Sequence, residues 1–152
     1  MHGTPGPTRF SVRNVDSPLA AFQLFMRSRL VKEILKWTNK EGSLVYKEAW
    51  QDTTNEEFLR YLGVLVLSGV YKSRNESIRQ LWSKEDGRPI FDKSMARNRF
   101  EQITRVLRFD DAVRRRENRQ ADKLAAIRTV SDMWQTTLQD VFVPYENVTV
   151  DE

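Results

Sequence analysis

The stretch from Thr54 to Val70 does most to constrain how this chain can fold. Thr54 followed three residues later by Glu57 is a capping-box pattern, which satisfies the first free N–H groups of a helix. Phe58, Leu62, Leu65, Val66 and Gly69 then recur at helical spacing, and the segment is apolar nearly all round. Such a helix has no face to offer water, so it is expected at the buried centre of a helical assembly. Gly63 and Gly69 lie inside it, where each costs about 1 kcal/mol relative to alanine. Close approach of a neighbouring helix is the expected compensation. The segment is interrupted by Arg60 and falls short of the roughly 20 apolar residues a membrane span requires.

The flanking sequence supports more helices. Residues 1–16 read as a disordered leader, small and Pro/Gly-rich at the start. Ser17-Pro18 supplies a cap and a proline at the first helical position, with Leu19, Phe22 and Phe25 on one face. Ser28 can cap a second helix striped by Leu30, Ile34 and Trp37, with Asn39 and Gly42 as stop signals. A shorter helix spans about 77–82 and leads into the turn at 84–89. Ser94 is expected to cap a helix through about Leu107 that buries Met95, Phe100, Ile103 and Leu107. Residues 110–119 lack apolar periodicity and read as a charged loop. Asp122 opens a further helical stretch carrying Leu124, Ile127, Trp134, Leu138 and Val141, which Pro144 ends.

Charge is where function first shows. The net charge of +4 is unevenly placed: Lys93 to Arg119 holds nine basic against four acidic residues, a net +5, leaving −1 elsewhere. Eight of those nine cations are arginine, whose planar fork suits phosphate oxygens. Arg97, Arg105 and Arg108 project from one helix, and Arg114, Arg115, Arg116 and Arg119 lie in the loop after it. Together they are candidates to track a DNA backbone without reading sequence; the bland alternative is a solvated basic face. The absence of cysteine excludes disulfides, thiol nucleophiles and Cys-ligated zinc in this segment. Residues 148–150, all β-branched, read as one short strand that delivers Asp151 and Glu152. The expected fold class is mainly α, with helices over 17–147 and that strand over 148–152. Three residues cannot complete a sheet, so an α/β unit is expected to lie beyond.

The order of short motifs resembles the piggyBac transposase family and its domesticated relatives. The resemblance runs through Trp37-Thr38-Asn39, Glu57-Phe58-Leu59-Arg60-Tyr61-Leu62-Gly63, Leu81-Trp82-Ser83, Ser94-Met95, Arg99-Phe100 and Leu107-Arg108-Phe109-Asp110-Asp111. It continues in Asp122-Lys123-Leu124 with Ile127-Arg128, and in Val148-Thr149-Val150-Asp151-Glu152. Thr129 departs from it, standing where many relatives have proline.

The resemblance implies a DNA cut-and-paste enzyme with a ribonuclease H-like core, in which three aspartates hold two divalent metals, Mg2+ or Mn2+. It places the first of them at Asp151. Two metals about 4 Å apart activate the attacking hydroxyl and stabilise the leaving oxygen of a phosphodiester. Glu152 is a poor second ligand, because neighbouring strand residues point to opposite faces. On this reading the chain is the N-terminal part of a transposase, not catalytically competent alone and with no metal expected on it. Its partners would be DNA and a second copy of the chain, its compartment the nucleus. A rival reading is a helical protein-interaction module retained after loss of the catalytic domain.

Overall fold

The computed structural model describes residues 4–111, 115 and 121–147. The architecture is mainly α-helical with one two-stranded antiparallel pair. The chain divides into two compact units, Met1–Glu33 with Asp110–Glu152, and Ile34–Phe109. The strand expected at 148–150, together with Asp151 and Glu152, lies outside the described residues.

In the first unit, β1 (Gly6–Pro7) pairs with β2 (Phe142–Val143), with Gly6 opposite Val143 and Pro7 opposite Phe142. The helix α1 (Arg9–Asn14) follows, capped by the Thr8 hydroxyl, which accepts from the Ser11 N–H. Thr8 also donates to the Asp140 carbonyl at 2.7 Å, and the Ser11 hydroxyl donates to the Val141 carbonyl at 2.9 Å. These bonds reach the end of α8 (Arg128–Val141). The expectation of a disordered leader over 1–16 is thus corrected for residues 6–14. Thr8 and Ser11 act as a cap and as partners for carbonyls about 130 residues away, which composition alone does not show. The helix α2 (Pro18–Phe25) forms as expected, capped by Ser17 with Pro18 leading. Arg27 pairs with Asp140 at 2.7 Å and covers the Phe10 ring at 5.2 Å.

The start of α8 is later than expected. Residues 123–127 form turns, and the helix begins at Arg128. Asp122 accepts from the Leu124 N–H at 2.9 Å and takes both arms of the Arg128 guanidinium at 2.8 Å. That fork, together with the Leu124 bond, holds the Asp122 carboxyl at about 2, below its usual 3.8. A carboxyl whose folded-state pKa is depressed adds stability above its unfolded pKa and loses it as pH falls towards the folded one. Asp122→Asn is accordingly expected to lower the unfolding temperature at pH 6. The deficit should shrink between about pH 4 and 2, as thermal melts across that range would show. A pH-independent deficit would count against the pair.

The second unit holds most of the aromatic core. The helix α3 (Ser28–Tyr46) runs straight through Asn39 and Gly42, so neither is the expected stop. The Asn39 side chain instead pairs with the Thr53 backbone, accepting from its N–H at 2.8 Å and donating to its carbonyl at 3.1 Å. After α4 (Asn55–Val70), short helices α5 (Ile78–Leu81) and α6 (Pro89–Ser94) lead to α7 (Arg97–Val106). Ser94 ends α6, its hydroxyl donating to the Ile90 carbonyl, and does not cap α7. Val106 is fully buried in place of Leu107, which is half-buried. Tyr61 packs on Phe100 with ring centroids 5.2 Å apart, and Trp82 on Phe100 and Phe91 at 5.0 and 5.3 Å.

One expectation fails in an informative way. Phe58, Tyr61 and Val64 of α4 are buried, but Leu65, Val66, Gly69 and Val70 are exposed. An added Cβ at Gly63 or Gly69 would meet nothing within 4 Å, so no neighbouring helix approaches them among the described residues. The helix is buried on one side only.

Candidate nucleic-acid interface

The motifs that carry the family resemblance turn out to be joints of the second unit. Glu57 of α4 receives the Arg99 guanidinium from α7, Nε to Oε1 at 2.8 Å and Nη2 to Oε2 at 2.7 Å. Thr38 donates to the Arg108 carbonyl and accepts from its N–H, both at 3.3 Å. The Trp82 indole N–H donates to the Met95 carbonyl at 2.8 Å. Buried backbone groups must find partners, and these side chains supply them where helices end. Most of the quoted motifs thus hold the fold.

The same geometry sorts the arginines. Arg108 is committed to structure: Nη2 pairs with Glu41 at 2.8 Å, and Nη1 donates to the Leu107 carbonyl at 2.8 Å. A cation donating to the last carbonyls of a helix satisfies groups that would otherwise lack partners. Arg115 forks onto Asp110. Arg97 stands near Glu101 at 3.6 Å, an exposed i,i+4 pair of little energetic weight. Arg105 is exposed, its guanidinium 5.8 Å from the Tyr46 ring centre, and no carboxylate pairs with it among the described residues. Arg97 and Arg105 lie about 12 Å apart along the α7 axis. Arg114, Arg116 and Arg119 lie outside the described residues, as does Asp151.

The cations that the segment-by-segment charge reading passes over lie on α3 and just beyond it. The ammonium groups of Lys36 and Lys40 sit 4.3 and 5.2 Å from the Trp37 ring centre. Lys36, Lys40 and Lys47 are all exposed. At 100° per residue Lys36 and Lys40 fall about 40° apart on α3, whereas Lys47 lies just past the helix end with a φ of 51°. Among the aromatics, Trp50 is buried and Trp82 packs on Phe100, whereas Trp134 is 45% exposed. Among the described residues no group of three or more His, Cys, Asp or Glu could hold a metal ion.

Comparison with known proteins agrees with this architecture. The Transposase IS4 family model matches residues 17–152. A cryo-EM structure of a piggyBac transposase synaptic complex with hairpin DNA is similar, with a TM-score of 0.83 and 31% sequence identity. The similarity covers 94% of this chain and 30% of that one, so the chain spans about a third of the relative's length. The chain belongs to the Transposase IS4 family, as a piggyBac-like member.

Proposed function

We propose that this chain is the helical, DNA-backbone-contacting part of a piggyBac-like cut-and-paste transposase or of a host protein derived from one. The similarity to a transposase seen in a complex with hairpin DNA supports this most directly. Arg105, with Arg97 on the same helix and Arg114, Arg116 and Arg119 in the segment that follows, contributes positive charge without base readout. Asp151 is proposed as the first of three aspartates holding two Mg2+ or Mn2+ ions in a protein that carries the other two. Those ions would activate the nucleophile and stabilise the leaving oxygen of a phosphodiester. Self-association and a nuclear location are part of the same proposal.

The test is duplex-DNA binding by this chain across a salt series. Affinity is expected to fall steeply with salt. Arg105→Ala should weaken binding several-fold and flatten the logarithmic salt slope by about 1, the loss of one phosphate contact. No binding at low salt would sink the proposal for this chain.

One observation favours a second reading. The open side of α4, with Leu65, Val66 and Val70 exposed beside two unobstructed glycines, suits a helical protein-interaction module without DNA affinity. Under that reading the salt series shows no binding, and polar substitutions at Val66 and Val70 leave the isolated chain folded.

A further inference from the structure

We infer that the cavity between α5 and the start of α7 grips one phosphate of a DNA backbone, held by Arg79 and Arg97 together. The inference rests on the proposed DNA binding and names a built contact within it. The cavity measures about 290 Å³ and lies wholly within the second unit, lined by Arg79, Gln80, Ser83, Asp86 and Arg97 among others. Arg97 Nε is buried without a hydrogen-bond partner among the described residues, and Glu101 stands off from it at 3.6 Å. A buried donor without an acceptor is costly, and an anion in the cavity would supply one. The other polar groups there also have donors to spare. In the capping box of α5 the Gln80 amide oxygen accepts from the Ser77 N–H at 2.8 Å and the Ser77 hydroxyl at 3.0 Å, which leaves the amide NH2 as its uncommitted end. The Ser83 hydroxyl accepts from the Glu85 and Asp86 N–H groups at 3.2 and 3.3 Å, so its own hydrogen is available to a ligand. Arg79 is exposed and no carboxylate pairs with it among the described residues, because Glu76 is held by both arms of Arg88.

Two guanidinium groups, an amide NH2 and a hydroxyl stand against one lining carboxylate, Asp86. That set is rich in donors, and arginine's planar fork matches the oxygens of a phosphate. Arg79, Gln80 and Asp86 are exposed, so the cavity opens to solvent and admits a phosphate that is still part of a polymer. Trp82, the one aromatic lining the cavity, already packs on Phe91 and Phe100 and spends its indole N–H on the Met95 carbonyl. The group recognised is therefore the phosphate alone, without its base. Arg105 lies about 12 Å further along α7, within reach of the same backbone.

The experiment uses the full chain, a fluorescently labelled random-sequence duplex and a NaCl series, with Arg79→Ala, Arg97→Ala, the double variant and Asp86→Asn. Each single arginine change is expected to weaken binding several-fold. The logarithmic salt slope counts phosphates rather than arginines, so the double variant should flatten it by about 1 in total. Its loss of affinity should be smaller than the product of the two single losses, as for residues that share one partner. Asp86→Asn removes the opposing charge and should tighten binding about twofold, a gain that misfolding cannot imitate. Circular dichroism and the unfolding temperature should stay close to wild type throughout. Wild-type affinity and slope in Arg79→Ala, with binding still weakened by Arg105→Ala, would overturn the cavity and leave the DNA proposal standing. Losses that multiply, with the slope flattened by about 2, would overturn the shared grip in favour of two separate contacts. A phosphoserine peptide of random flanking sequence that binds more tightly than the duplex would overturn the assignment to DNA. A wild-type chain that fails to bind DNA overturns both proposals.

Discussion

Arg99→Ala is expected to lower the unfolding free energy by about 3 kcal/mol, the magnitude for removing one partner of a mostly buried ion pair. Arg99 is 17% exposed in its side chain and Glu57 28%. Besides its fork onto Glu57, the guanidinium donates from Nη2 to the Gln51 carbonyl at 2.8 Å and the Thr53 hydroxyl at 3.2 Å. It also lies 4.5 Å from the Trp50 ring centre. Alanine removes all of these and leaves the Glu57 carboxylate desolvated without its counter-charge. Arg99→Lys keeps a charge but cannot fork, so about half the loss is expected. In a double-mutant cycle, adding Glu57→Leu to Arg99→Met should cost less than the sum of the single changes. Urea unfolding measures all of these. A loss below about 0.5 kcal/mol for Arg99→Ala would mean that the joint is not anchoring the unit.

Adding one methyl group to glycine should have opposite effects at different helical positions. At Gly42 a Cβ would overlap the Trp50 ring at Cε2, Cδ2 and Cζ2. Trp50 cannot retreat easily, because Tyr46 stacks on it at 5.7 Å and Arg99 covers it. Overpacking of this kind costs about 1–3 kcal/mol, against a gain of about 1 kcal/mol in helix propensity. A net loss of about 1–2 kcal/mol is expected. Gly63→Ala and Gly69→Ala meet nothing, and each should gain up to about 1 kcal/mol. Chemical denaturation of the three variants reads the signs directly. Stabilisation by Gly42→Ala would refute the close packing of Trp50 on α3.

The three glycines show why sequence reading succeeds and then stops. Each sits inside a helix of the structure, and each has the same intrinsic penalty. Expecting a neighbouring helix at Gly63 and Gly69, and a helix end at Gly42, reversed their roles. What lies opposite a residue is set by elements distant in the chain, and helical periodicity carries no information about that.

Local chemistry was legible for the opposite reason. Thr54, Ser17 and Ser77 cap the helices that follow them, because a hydroxyl reaches the N–H three residues on whatever the rest of the chain does. The mainly helical class and the family itself follow from such short-range patterns. Only the tertiary structure decided which cations are held in ion pairs and which face solvent. Arg108 meets Glu41 across 67 residues and Arg99 meets Glu57 across 42, whereas Arg105 lies over a tyrosine ring. Charge along a sequence counts arginines, but its effect on phosphate depends on which carboxylates the fold places beside them. That pairing is a matter of distances in space, which the order of residues along the chain does not carry.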